Sequence, residues 1–222
     1  MEKKITCAVI LARSGSKTII DKNITKIKGK PLLYYTAKQA SLIKEIDKVF
    51  ILTDSKKYLS IINNFKIKKV IGITRSKKSS SDNAQSEIAL LEFVKNYDYE
   101  NIVFIQATNI FLTYKDIKAA LKKYCDNNID TILSVIESKK FMWKFQNNSM
   151  KPVNYDYTKR KLRQQIKNCY YLENGSFYIF SKKGFMKYKN RIYGKIGYYV
   201  MNEKSYFDID TKEQLNIVKK IF

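Results

Sequence analysis

Ile5-Thr6-Cys7-Ala8-Val9-Ile10-Leu11-Ala12-Arg13-Ser14-Gly15-Ser16-Lys17 passes from an unbroken apolar run into a loop of small, hydroxyl and cationic residues. A run of strand length without polar alternation is the pattern of a strand covered on both faces, the condition of a strand inside a parallel sheet flanked by helices. Two other readings of the run fail. It falls far short of the ~18 apolar residues that a membrane span needs. It is also no secretory signal, because Arg13 cuts it and no small-x-small cleavage site follows, so the chain is expected to stay in the cytoplasm.

Outward from this stretch, apolar segments of strand length alternate with segments of helical period. Pro31 sits at the start of a helix whose Leu32, Leu33, Thr36, Ala37, Ala40 and Ile43 share a face. Strands are expected at 47–53, 68–74, 102–107 and 131–136, with a helix at 56–64 between the first two. Ser81 or Asp82 is positioned to cap a helix carrying Ala84, Ile88, Leu91 and Val94 on one side. Thr113-x-x-Asp116 and Thr211-x-x-Gln214 are capping boxes that open two further helices. The alternation predicts an α/β fold with a doubly wound, mostly parallel sheet whose ligands lie beyond the carboxyl ends of its strands. The whole of 1–222 reads as one domain. Its rhythm breaks only at 137–170, a polar, aromatic and lysine-rich excursion too long for an ordinary connection.

Composition narrows the chemistry. The 222 residues include no histidine, which removes Ser-His-Asp and Cys-His nucleophiles, His-ligated zinc and an imidazole base. Three scattered cysteines, Cys7, Cys125 and Cys169, form neither a disulfide framework nor a zinc motif. What remains suits phosphoryl or nucleotidyl transfer with a hard metal. The net charge of +23 would ordinarily point to nucleic acid. However, 38 of the 43 basic residues are lysines spread along the chain, beside 29 isoleucines and 17 asparagines, a profile of A/T-rich coding. The five arginines, Arg13, Arg75, Arg160, Arg163 and Arg191, therefore carry more information than the lysines.

The loop Arg13-Ser14-Gly15-Ser16-Lys17 with Lys22-Asn23 can wrap a triphosphate with backbone N–H groups and cations, although it lacks the Walker A spacing. A polar strand-to-helix loop in a lysine-rich chain is an equal reading. Asp208-x-Asp210 places two carboxylates on one face of an extended segment, which suits a shared magnesium ion, yet capping of the last helix is the commoner meaning of an isolated pair. Asn174-Gly175 by itself is a turn signal.

Taken in order, these segments resemble the nonulosonic-acid cytidylyltransferases, the family of CMP-sialic acid synthetases. The resemblance is carried by Ala12-Arg13-Ser14-Gly15-Ser16-Lys17, Lys22-Asn23, Gly29-Lys30-Pro31-Leu32, Thr53-Asp54, Arg75, Ser81-Asp82-Asn83-Ala84-Gln85-Ser86, Gln106-x-Thr108, Arg163-Gln164, Asn174-Gly175-Ser176-Phe177-Tyr178 and Asp208-Ile209-Asp210. It implies a Rossmann-like nucleotidyltransferase that joins CTP to a nine-carbon 2-keto sugar acid with Mg2+. Leu11, Ala12, Arg13, Ser16, Lys17, Lys22, Asn23, Arg75, Ala84 and Ser86 would then bind nucleotide. Gln106, Lys144, Arg163, Gln164, Asn174 and Tyr178 would bind the sugar acid, and Asp208 and Asp210 the metal. Arg13, Lys17, Lys22 and Asp210 would carry the catalysis. The excursion would be a dimerisation arm or lid of a homodimer with no nucleic-acid or membrane partner.

Two departures from the family pattern stand out. Thr18-Ile19-Ile20 replaces a Gly, apolar, Pro segment, and Ala107-Thr108-Asn109-Ile110-Phe111-Leu112 replaces P-T-S-P-L-R. The rival readings are the same reaction on legionaminate, pseudaminate or the eight-carbon acid KDO, a basic nucleic-acid-binding protein, and a non-catalytic descendant of the family.

Overall fold

The computed structural model describes residues 5–81, 84–160, 162, 165 and 170–222. Its strands are β1 (Thr6–Leu11), β2 (Lys26–Ile27), β3 (Lys30–Pro31), β4 (Lys48–Thr53), β5 (Val70–Thr74), β6 (Asn101–Gln106), β7 (Thr131–Ser138), β8 (Trp143–Gln146), β9 (Ser149–Pro152), β10 (Tyr170–Ser181) and β11 (Ile196–Val200). The helices are α1 (Leu32–Ser41), α2 (Lys56–Asn63), α3 (Lys77–Ser80), α4 (Ser86–Asn96), α5 (Tyr114–Asp126), α6 (Lys182–Tyr188) and α7 (Lys212–Ile221).

Seven strands form the main sheet in the order β11-β7-β10-β6-β1-β4-β5. β1 pairs in parallel with β4 and β6, β4 with β5, and β7 with β11, whereas β10 runs antiparallel between β6 and β7. The mostly parallel, doubly wound sheet is therefore the fold, with one reversed strand that local sequence does not announce. β1 lies at its middle, and Cys7, Ala8, Val9 and Ile10 are fully buried. Ala8, Ile10 and Ala12 face a core formed with Leu33, Ala37 and Ala40 of α1, Tyr58 and Ile62 of α2, and Ile117, Ala120 and Leu121 of α5. Cys7 and Val9 face the opposite core, with Leu90, Phe93 and Val94 of α4 and Phe185 of α6. That two-sided burial is why the strand shows no polar alternation.

Both capping boxes form: the Thr113 and Thr211 hydroxyls accept from the backbone N–H groups of Asp116 and Gln214, whose side chains bond back. The expected face of α4 is corrected. Ala89, Leu90, Phe93 and Val94 are the buried residues, and the N-cap is Gln85 rather than Ser81 or Asp82. Ser81 instead ends the short helix α3, which Ser76 caps. The segment Ile88-Ala89-Leu90-Leu91 is apolar nearly all round, so its period alone does not choose a face.

A third cluster, Ile19, Ile27, Leu32, Ile110, Ile209, Leu215 and Val218, seats α7 and the segment before it against the loop after β1. Between β7 and β10 the chain leaves the sheet as an exposed β8–β9 hairpin.

Candidate active site

A cleft of about 550 Å³ opens beyond the carboxyl ends of the central strands, the place where a doubly wound sheet holds its ligands. Leu11 and Gln106, the last residues of β1 and β6, stand opposite one another in register and form part of its floor. Arg13, Ser16, Lys17, Lys22 and Asn23 form one wall, and Arg75, Ala84 and Ser86 another. Asp208 and Asp210 close it from the segment that precedes α7.

The loop after β1 is shaped by contacts from several directions. Asn23, buried, donates from Nδ2 to the Arg13 carbonyl at 3.0 Å, and the Arg13 guanidinium reaches the Ser81 carbonyl at 3.4 Å. Asp54 accepts from both the Ser14 N–H and the Ser14 hydroxyl, each at 2.9 Å. Lys22 Nζ lies 2.9 Å from Asp210 Oδ1, so the cationic wall and the acidic segment already touch. Asp21 adopts a left-handed backbone at φ 55° and pairs with Lys57 at 2.5 Å. The Lys57 ammonium holds the Asp21 carboxyl below its usual range.

Arg75 is 7% exposed, and its Nε has no hydrogen-bond partner among the described residues. Burial lowers its pKa, the nearby Asp54 carboxylate opposes that shift, and Arg13 adds to it. A guanidinium that is desolvated, beside a second arginine and short of an acceptor, is a built-in demand for an anionic or carbonyl-bearing ligand.

The acidic pair is delivered by its neighbours. Ile209 is fully buried, which anchors the segment while Asp208 and Asp210 on either side of it face the cleft. Gln214 Oε1 accepts from the N–H groups of Asp210 and Thr211 at 2.7 and 2.8 Å, fixing the approach to α7. Among the described residues no cluster of three or more His, Cys, Asp or Glu side chains converges. Two carboxylates with room for substrate oxygens and water nevertheless fit a hard divalent cation of the magnesium type, which habitually takes one or two carboxylates together with phosphate oxygens.

Not every expected residue lines this cleft. Ala12 is buried beneath it, where its N–H donates to the Leu52 carbonyl at 2.9 Å. Asn174 turns to Ser205, donating to its hydroxyl at 2.8 Å. Tyr178 lies in the core below, its hydroxyl bonded to Glu173 and its ring 4.6 Å from the Arg191 guanidinium. Lys144 is exposed on the β8–β9 hairpin, away from the lining. Arg163 and Gln164 lie outside the described residues, as do Asp82 and Asn83. The sequence gives no site role to Thr18, Ile19, Ser79, Ser81, Ala107, Thr108 and Gly175, which also line the cleft, and all but Ser79 lie in stretches quoted above. Most carry no chemical signal of their own.

A model of the cytidylyltransferase family matches residues 7–221. The chain belongs to the cytidylyltransferase family. It is 29% identical over 221 residues to the N-acylneuraminate cytidylyltransferase of Streptococcus agalactiae serotype III (strain NEM316), a match covering 96% of this chain and 52% of that protein. To N-acylneuraminate cytidylyltransferase B of Danio rerio it is 32% identical over 208 residues, covering 91% and 48%. The chain thus spans about half the length of these relatives. Among solved structures, a CMP:2-keto-3-deoxy-manno-octonic acid synthetase complexed with CTP shares the fold at a TM-score of 0.75 and 14% identity, over 98% of each chain. In this member of the family the loop after β1, Arg75 and the acidic pair therefore lie at the ligand end of the doubly wound sheet.

Proposed function

We propose that this cytidylyltransferase activates a nine-carbon, sialic-type 2-keto sugar acid with CTP, giving the CMP-sugar acid and pyrophosphate, N-acetylneuraminate being the first candidate. One observation carries the reading: a single cleft unites the cationic loop of Arg13, Lys17 and Lys22, the buried Arg75 and the paired carboxylates Asp208 and Asp210. The names of the sequence relatives supply the sugar class.

In this reading Arg13, Ser16, Lys17 and Lys22 hold the triphosphate, with the lysines neutralising charge on the departing pyrophosphate. Asn23, Arg75, Ala84 and Ser86 bound the nucleoside, and Gln106 faces the sugar acid. Asp208 and Asp210 hold Mg2+, which supplies charge neutralisation and alignment of the phosphate oxygens. The C2 hydroxyl oxygen forms a bond to the α-phosphorus as the bond from the α-phosphorus to the bridging oxygen of the β-phosphate breaks. The hydroxyl proton leaves to a carboxylate or to water, since the chain has no histidine.

The excursion of residues 137–170 serves as the arm or lid of a homodimer, and on its hairpin Phe145 and Met150 are 71% and 58% exposed. No helix among the described residues is long and apolar enough to cross a membrane. The reading places the reaction in the cytoplasm and takes the lysine excess as composition rather than a nucleic-acid surface.

Pyrophosphate release tests the proposal, with CTP, Mg2+ and each of N-acetylneuraminate, legionaminate, pseudaminate and KDO, against controls without acid and with UTP. Release that needs CTP and one acid supports it and names the substrate. Release with KDO alone moves the assignment to the eight-carbon acid. Failure of CTP to raise the melting temperature would remove the nucleotide site and return attention to salt-sensitive nucleic-acid binding.

A further inference from the structure

The loop from Arg13 to Asn23 has to present several cations in fixed positions, yet it has neither a proline nor regular secondary structure before the short 3-10 turn at Lys22. In Thr18-Ile19-Ile20 only Ile19 is anchored, in the third apolar cluster, whereas Ile20 is 85% exposed. Within the loop the backbone bonds run from Ser16 N–H to the Ser14 carbonyl and from Lys22 N–H to the Ile19 carbonyl. Its stiffness has to come from outside.

Besides the Lys22–Asp210 pair, the Arg13 contact with Ser81 and the seating of Ile19 in the third cluster, two grips on the loop come from one turn of chain, the junction of β4 and α2. Asp54, the first residue after β4, grips the loop's first half, one carboxylate oxygen on the Ser14 N–H and the other on the Ser14 hydroxyl, both at 2.9 Å. Three residues on, Lys57 in the first turn of α2 grips the second half through Asp21. The paired Asp21 has a left-handed backbone that non-glycine residues seldom adopt, and Lys22 and Asn23 follow it directly. Ser55 caps α2 by accepting from the Tyr58 N–H, and the fully buried Tyr58 side chain roots the junction in the core. Asp54, Lys57 and Asp21 are not part of the cleft lining.

We propose that the β4–α2 junction is the positioning element of the triphosphate loop, with Asp54 and Lys57 acting through Ser14 and Asp21 and touching no substrate. The proposal rests on the reading of this cleft as the CTP site. Its physical content is entropic: a loop ordered before binding does not charge its ordering to the ligand, and a released loop does. The Thr53-Asp54 pair thereby acquires a role that neither strand ending nor helix capping explains.

The test uses the full chain with Asp54→Ala, Asp54→Asn and Lys57→Met. Three quantities are compared with wild type: hydrogen exchange of residues 13–23 without ligand, the rise in melting temperature with CTP, and the separate KM values for CTP and sugar acid. Asp54→Ala is expected to speed exchange in the loop, shrink the CTP-induced shift and raise the CTP KM about tenfold, in line with the sensitivity of transfer reactions to misplaced groups. The sugar-acid KM should stay within about twofold, because no sugar contact is altered. Asp54→Asn should recover most of the loss, since its amide oxygen still accepts from the Ser14 N–H and its amide nitrogen can donate to the Ser14 hydroxyl. Lys57→Met should act in the same direction through the other half of the loop.

Unchanged exchange and an unchanged CTP shift in Asp54→Ala would overturn the clamp. So would Asp54→Asn as damaging as Asp54→Ala, which would make charge rather than geometry the cause. A wild-type chain that shows no CTP shift at all overturns the nucleotide reading and the clamp with it, whereas a wild-type shift that Asp54→Ala preserves overturns the clamp alone.

Discussion

The two ends of the cleft are built differently. At the phosphate end, Arg13, Ser16, Lys17, Lys22 and Asn23 come from one loop, and that loop is braced by Asp54, Lys57 and the α7 approach. At the proposed sugar end, Gln106 lines the cleft, but Asn174 and Tyr178 are engaged by Ser205 and Glu173, and Lys144 stands on an exposed hairpin. Under the proposed function, one chain would suffice to build the triphosphate site from strand ends, while the sugar site would draw on something further. In the proposed function that something is the arm of a second copy. The comparison holds only if damage at the phosphate end falls on CTP and damage at the other end falls on the sugar acid.

The largest effect should come from Asp210→Ala, with turnover falling by roughly a thousandfold, the scale of losing a group that stabilises transition-state charge. The fold should be intact, because the Asp210 side chain is 64% exposed and pairs with Lys22 at the surface of the cleft. Pyrophosphate release and a melting curve check both halves of this expectation. Near-normal turnover would remove Asp210 from the metal site and make its pairing with Lys22 structural.

Arg75→Met should follow, with kcat/KM for CTP down about a hundredfold, or roughly 3 kcal/mol for losing charge-assisted hydrogen bonds. Stability should hold or rise, since the substitution removes a buried guanidinium whose Nε is unpartnered. A loss seen in the sugar-acid KM instead would move Arg75 to the other end of the cleft and collapse the comparison.

Phe145→Asp on the hairpin should act at the sugar end alone. If a second copy covers this surface, the charge should shift light-scattering mass toward the monomer and raise the sugar-acid KM about tenfold, the scale of losing an apolar anchor. The CTP-induced thermal shift should be unchanged. A mass and a sugar-acid KM equal to wild type would mean that the hairpin covers no partner.

The same asymmetry governed how much could be read from sequence. β1, both capping boxes and the loop of Arg13 to Asn23 were legible because each is a local pattern in which neighbouring residues carry the signal. The antiparallel placement of β10 was not, because Phe177 to Ser181 meet Ile105 to Asn101 of β6, which lie 72 to 80 residues earlier. Asp54 went unassigned because a carboxylate at a strand end looks the same whether it faces water or grips Ser14, 40 residues earlier. For Asn174 and Tyr178 the signal is the family resemblance, which conveys a residue's position but not the direction of its side chain.

Tyr178 supplies the smallest effect and the sharpest test of that last distinction. Its hydroxyl donates to Glu173, and its ring packs under Arg191, whose guanidinium also pairs with Glu87 at 2.6 Å beside the cleft residue Ser86. Burial, reinforced by the bond to Glu173, pushes the phenol up to about 12. An unfolded tyrosine ionises near 10, so this contribution to stability is full below about pH 10 and is lost as pH rises toward 12. Tyr178→Phe should therefore cost about 1 kcal/mol at neutral pH for the lost bond. It should also lose less stability than wild type between pH 10 and 12, which paired thermal melts would show. The sugar-acid KM should change less than about twofold, since a hydroxyl committed to Glu173 has no donor left for substrate. A rise of tenfold or more would mean that Tyr178 exchanges Glu173 for the sugar, and that the sugar end is assembled by the ligand itself and not by a partner alone.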